Sequence, residues 1–158
     1  MLVVPMISLL DLAATRRAGA ALAPLLRGGD VVALLGDLGA GKTTFVDACV
    51  CALGADGASS PTFALVHEIP CAAFTVWHID LYRLERAAEV AELGLEEMLG
   101  NPAGVSFVEW ADKHPVLPRV HLRLTLAHTA GGRTLSIEGH GARGEALGQA
   151  FAAALTGA

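Results

Sequence analysis

The chain has 158 residues, 53% of them hydrophobic and 17% charged, and a formal net charge of −5. That length suffices for one domain, residues 1–158, with a sizeable core, and so little charge among so much apolar surface excludes a disordered chain. No apolar run approaches the ~20 residues of a membrane-spanning helix, so no membrane partner is expected. Eleven Lys and Arg face 16 Asp and Glu, and Arg16-Arg17 is the only adjacent basic pair. A protein that grips a phosphate backbone by itself carries a basic stripe. None is visible here, so any role on nucleic acid is expected to be indirect.

In chain order, Ser8-Leu9-Leu10-Asp11 has the form of a capping box and predicts a helix from there to about Arg27, with Leu12, Leu22, Leu25 and Leu26 facing inward. Gly28-Gly29 stops it. Val31–Leu35 is a continuous apolar run, as in a strand buried on both faces. Gly36-Asp37-Leu38-Gly39-Ala40-Gly41-Lys42-Thr43 then completes G-x-x-x-x-G-K-[ST]. In this pattern glycines let successive N–H groups turn toward phosphate oxygens, the lysine reaches the β- and γ-phosphates, and the hydroxyl ligates Mg²⁺. A helix from 42 to 53 follows, closed by Gly54. A loop over 55–60 leads to two strand-like runs, 62–69 and 73–79, which form a hairpin through Pro70. A helix over 85–99 is broken at Gly94. Val105–Glu109 is a short buried strand ending in an acid. Arg119–Ala127 alternates, with Val120, Leu122, Leu124 and Leu126 on one face. A turn at 129–132, a strand over 133–138 and a helix over 142–155 close the chain. Buried parallel-type runs beside hairpins predict an α/β fold, a P-loop NTPase-like three-layer sandwich around a mixed parallel/antiparallel sheet.

A phosphate loop by itself binds; hydrolysis also needs an acid that positions the metal and a sensor of the γ-phosphate. Ser60-Pro61-Thr62-Phe63 can order against a γ-phosphate as a switch, or can be an ordinary turn that starts a strand. His78 and Asp80, two apart at a strand end, share a face. Asp80 can reach Mg²⁺ directly or through water, whereas His78 reads as a satisfied core histidine. Glu109 sits where a phosphate-loop protein places its second metal-holding acid. Trp110, after it, can pack on a base or a partner, or can be a packing residue. Gly131-Gly132-Arg133 can aim a guanidinium at the nucleotide, or can be a hairpin turn with a solvated arginine. Cys49, Cys51 and Cys71 have no metal-type spacing and read as buried thiols of a reducing cytoplasm. No basic stretch followed by an apolar run opens the sequence, so no secretion signal is expected.

Taken together and in this order, the phosphate loop through Thr44-Phe45, Ser60-Pro61-Thr62-Phe63, His78-Ile79-Asp80-Leu81-Tyr82-Arg83-Leu84 and Val108-Glu109-Trp110 closely resemble the bacterial TsaE (YjeE) family, over residues 8–140. The resemblance implies a small cytoplasmic P-loop ATPase, with ATP and Mg²⁺ as cofactors, required for the threonylcarbamoyl modification of the adenosine next to the anticodon of certain tRNAs. It implies work with the partners TsaD and TsaB, with tRNA reached only through that complex. By match to the family, Gly39, Ala40, Gly41, Lys42, Thr43 and Thr44 hold the phosphates, and Thr43 and Glu109 hold Mg²⁺. Asp80 lies at the nucleotide, Ser60, Pro61 and Thr62 act as a first switch, Trp110 flanks the site, and Leu12 and Arg133 lie near the nucleotide. Lys42, Asp80 and Glu109 are the candidate catalytic residues.

Other readings make different demands. A small-molecule kinase needs an arginine-bearing lid, and the nine arginines here are dispersed. A GTPase needs an N-K-x-D base-reading loop; the only lysines are Lys42 and Lys113, and Trp110-Ala111-Asp112-Lys113 is not that loop. A nucleotide-gated adaptor without a catalytic role would use the same loop and acid as an ATPase.

Overall fold

A computed structural model describes residues 1–55 and 65–157. Its centre is one seven-stranded sheet in the order β1-β7-β6-β2-β5-β4-β3. The strands are β1 (Leu2–Leu9), β2 (Val31–Leu35), β3 (Val66–Pro70), β4 (Thr75–Asp80), β5 (Gly104–Glu109), β6 (His121–Thr129) and β7 (Gly132–His140). The middle four, β6-β2-β5-β4, run parallel. At the edges β7 and β3 pair antiparallel with their neighbours, as does β1 with β7. The predicted mixed sheet is therefore observed.

Helices cover both faces. On one side α1 (Leu12–Leu22), α2 (Lys42–Ala52) and α4 (Gly141–Thr156) bury Leu22, Phe45, Val46, Cys49 and Phe151 against Val32, Leu34, Phe107, Leu122, Leu124 and Ile137. The Phe45 and Phe151 rings meet edge to face at 6.1 Å and join α2 to α4. On the other side the short α3 (Ala87–Ala91) and the 3-10 turn Leu95–Glu97 close over Val31, Ala33, Ile79 and Val108. Strands β2 and β5 thus lie between two cores. All six residues of β5 are buried, as a central parallel strand requires.

The structure departs from the sequence reading at several places, among them Leu12 and Val120, both expected to face inward and both exposed. Residues 2–9 form β1, which takes in Ser8 and Leu9 of the expected helix entry. The strand carries Pro5, and its register shifts between Val4 and Ile7; proline lacks the N–H a ladder needs and is tolerated at an edge or a bulge. The cap of α1 is Asp11, whose Oδ1 accepts from the Ala14 N–H at 2.8 Å, so Ser8 belongs to the strand. The helix foreseen over 85–99 is reduced to α3 and one 3-10 turn, parted where Gly94 takes φ +66°. Of the three cysteines only Cys49 is buried, its thiol pushed up to about 12 by burial, while Cys51 is exposed and Cys71 half-buried. Among the described residues no helix is long and apolar enough to cross a membrane.

An ion pair ties α4 to the start of β2. Asp30, its side chain 3% exposed, accepts from Arg143 Nε at 2.9 Å and Nη2 at 2.8 Å, and from the Arg27 N–H at 2.9 Å. Removing one partner of a buried pair strands the other charge, at a cost of ~3–5 kcal/mol. Arg143→Met is therefore expected to lower unfolding stability by about 3 kcal/mol in a urea titration, and Asp30→Leu added to it to recover part of that loss.

Candidate functional site

The site lies at the C-terminal ends of the parallel strands, where open α/β sheets form crevices. Register sets it. Leu34 of β2 pairs with Glu109 of β5, and Glu109 with Asp80 of β4. The chain leaving β2 therefore turns directly beside both acids. Gly36 makes that turn at φ +137°, and a Cβ there would run into the Leu126 carbonyl. Gly41 caps α2 in the left-handed region, φ +106°, where a side chain is strained.

Lys42 opens α2 and folds back over the loop. Its ammonium donates to the carbonyl oxygens of Gly36 and, at 3.2 Å, Asp37, and lies 3.9 Å from the centroid of the Trp110 ring. Only 5% of the residue is exposed. Burial lowers its pKa, opposed by the charges of Glu109, Asp80, Asp112 and Asp37. One residue on, the Thr43 hydroxyl donates toward both oxygens of Glu109, at 3.2 and 3.3 Å. The Glu109 carboxylate is buried, and its Oε2 accepts from His78 Nε2 at 2.5 Å. Asp80 turns its Oδ1 to the Tyr82 N–H at 2.9 Å. Asp47, one turn along α2 from Thr43, has its pKa raised by burial; His78 opposes that shift and the like charge of Glu109 adds to it.

Trp110 follows β5 directly. Its N–H extends the ladder to Leu34 O at 3.2 Å, and at φ +59° it is the one non-glycine residue with positive φ among those described. Backbone strain in a bulky residue persists where its surroundings enforce it. Here the indole is held between the Lys42 ammonium and the Tyr82 ring, whose centroid is 4.9 Å away. Lys113 Nζ donates to the Tyr82 carbonyl at 2.6 Å and lies 5.5 Å from the centroid of its ring.

These groups wall a cavity of about 340 Å³. Every residue assigned from the sequence to the nucleotide, metal or catalytic site that falls among the described ones lines it: Leu12, Gly39 to Thr44, Asp80, Glu109, Trp110 and Arg133. Ser60, Pro61 and Thr62 lie outside the described residues. Leu38 and Tyr82 also line the cavity and were not singled out. Their signal was available, since Leu38 sits inside the glycine loop and Tyr82 two residues after Asp80. His78, expected to be a satisfied core histidine, is 10% exposed, and the group that satisfies its Nε2 is the central carboxylate. Arg133 both lines the cavity and braces it, with Nε donating to Ala40 O at 2.9 Å and Nη2 to Gly39 O at 3.3 Å.

A strand, a glycine loop closing on a lysine, and an acid from the neighbouring strand set against the helix's first hydroxyl define an α/β protein with the P-loop NTPase-like fold. Comparison with known proteins narrows the class. The family model described as threonylcarbamoyl adenosine biosynthesis protein TsaE matches residues 9–135, and the chain belongs to the TsaE family. A tRNA threonylcarbamoyladenosine biosynthesis protein TsaE from Nostoc is 36% identical over 126 residues, 77% of each chain. The protein of that name from Rickettsia conorii is 39% identical over 108 residues, 66% of this chain; the match spans 61% of that relative's length. The crystal structure of Bacillus subtilis YdiB superposes with a TM-score of 0.79 at 27% identity, over 96% of this chain and 97% of that one.

The bracing by Arg133 can be tested without a ligand. Arg133→Met removes two donors to loop carbonyls, each worth ~1 kcal/mol. Amide hydrogen exchange is expected to quicken across residues 36–43 by roughly tenfold, with strand β5 unchanged.

Proposed function

We propose that this chain binds ATP with Mg²⁺ in the cavity and hydrolyses it, as the ATPase component of tRNA threonylcarbamoyladenosine formation in the cytoplasm. The observation that carries the reading is the meeting of Thr43 with Glu109 at 3.2–3.3 Å, at the mouth of a loop built for phosphates. The family's name and the names of the relatives supply the pathway.

The donor set fits Mg²⁺, which takes oxygen ligands, keeps several waters and uses one or two carboxylates. A threonine hydroxyl and a buried carboxylate side by side are such oxygens, and Asp80 lines the same cavity. Thr43 and Glu109 would hold the ion, which would supply positive charge to offset charge developing on the phosphates. Lys42 exchanges the carbonyls of Gly36 and Asp37 for phosphate oxygens and carries a positive charge to the transferred group. The N–H groups at the start of α2 point out of the helix and receive the phosphates. Trp110 and Tyr82 form one wall of the cavity.

The same geometry supports dependence on partners, for which TsaD and TsaB are proposed. Among the described residues Arg133 is the one arginine lining the cavity, and it is engaged with loop carbonyls. Phosphoryl transfer gains orders of magnitude from an arginine aimed at the transition state. A net charge of −5 supports contact with tRNA through the partners alone.

Two measurements check this reading. Lys42→Ala is expected to weaken ATP binding and abolish hydrolysis, whereas Glu109→Gln, which keeps shape and loses charge, lowers hydrolysis by at least tenfold with a smaller effect on binding; parent-rate hydrolysis by Lys42→Ala ends the nucleotide reading. Titrating purified TsaD and TsaB into the parent chain is expected to raise ATP turnover at least tenfold, and a flat rate up to saturation removes partner dependence.

A further inference from the structure

We propose that His78 is a positioning residue for the metal-holding carboxylate: its imidazole fixes which way Glu109 faces Thr43, and so sets affinity for Mg²⁺. The inference rests on the Mg²⁺–nucleotide reading above and adds a residue to it.

The need for such a residue follows from the distances. Thr43 Oγ1 lies 3.2 Å from Oε1 and 3.3 Å from Oε2 of Glu109. One hydroxyl proton, shared almost equally between two oxygens, leaves rotation of the carboxylate undetermined. His78 Nε2 contacts Oε2 alone, at 2.5 Å, and breaks the symmetry. A carboxylate accepts, so Nε2 carries the hydrogen and donates. Both side chains are nearly enclosed, 10% exposed for His78 and 5% for Glu109.

The strands place the pair. His78 and Asp80 sit two apart on β4, opposite Phe107 and Glu109 of β5, and so present their side chains to the same face of the sheet, the α2 side. With Oε2 occupied by the imidazole, Oε1 is left for Thr43 and for a metal-bound water. The Thr43 hydroxyl can then donate its hydrogen to Glu109 while its lone pair meets the ion. A histidine that merely filled space would not need its ring nitrogen on the acid. Outer-shell partners of this kind typically contribute 10–100-fold in metal affinity or activity.

The test compares three variants of the full chain: His78→Leu, which keeps bulk without a donor, His78→Gln, whose amide can donate to Oε2, and His78→Asn, whose amide is too short. ADP binding is measured by calorimetry across a Mg²⁺ titration and in EDTA, and ATP hydrolysis gives kcat and KM. His78→Leu is expected to raise the Mg²⁺ concentration for half-maximal nucleotide binding by 10–100-fold and to lower kcat by a similar factor. Its ADP affinity in EDTA stays within about twofold of the parent, because the phosphate loop itself is untouched. His78→Gln recovers most of the loss and His78→Asn does not. Unchanged Mg²⁺ dependence in His78→Leu overturns the proposal, and so does equal loss in EDTA and in Mg²⁺, the mark of a packing role. If His78→Leu does not fold, equal behaviour of the Gln and Asn variants overturns it. A parent chain whose ADP binding ignores Mg²⁺ instead overturns the functional reading itself, and the inference falls with it.

Discussion

The pairing of Leu34 with Glu109 across β2 and β5 is the constraint on which the site depends. Side chains alternate along a strand, so a slip of one residue would exchange Glu109 with Val108. The carboxylate would enter the core beside Val31 and Ala33, and valine would face α2. That outcome is excluded by the cores themselves. Phe107 and Val105 belong to the core under α1, α2 and α4, and Val108 to the opposite one. The register of a strand buried on both faces is therefore set by hydrophobic packing, and an acid at its last position inherits a fixed place beside the phosphate loop.

The fixed place carries an electrostatic cost. Glu109 and Lys42 are each about 95% buried, and burial disfavours both charges. The fold offsets this with hydrogen bonds. Thr43 and His78 serve the carboxylate, and the carbonyls of Gly36 and Asp37 serve the ammonium. Trp110 presents its ring face to the same ammonium, an attraction that grows as water is removed. The left-handed backbone of Trp110 is what turns the indole over Lys42, with its N–H still paired to Leu34. Strain in one residue and charge on another thus meet at a single contact.

Much of this arrangement was legible in the chain. The run Val31–Leu35, the glycine loop after it and the acid ending Val105–Glu109 each carry a pattern within a few residues, and the structure places them as adjoining strands and a helix start. The parts that were not legible depend on distance in sequence or on competing local signals. His78 lies 31 residues from Glu109, and no short motif distinguishes a histidine under a carboxylate from one in a core. β1 was hidden because Pro5 argues against a strand while Ser8 and Asp11 both argue for a helix start; only pairing with β7, more than 120 residues later in the chain, resolves the competition. In the segment 85–99 the break at Gly94 was legible, and the backbone turns left-handed there; the short helical lengths on either side were not, because the segment is held by the core beneath it through Val90 and Leu95 more than by its own turns.

Arg133 shows how the fold limits the chemistry proposed for it. Sequence spacing allowed its guanidinium to serve either a nucleotide or solvent. In the structure Nε and Nη2 are on the carbonyls of Ala40 and Gly39, 93 and 94 residues away, so the hairpin of β6 and β7 clamps the outside of the loop. Turning that side chain to a phosphate would release the loop that receives the phosphate. Positive charge for the transferred group then comes from Lys42 within the cavity and, on the function proposed, from a protein that docks at its mouth. A loop held by Arg133, a wall formed by Trp110 and Tyr82, and a carboxylate oriented by its neighbours form a site organised to bind. On the function proposed, what it leaves to a partner is the last cation.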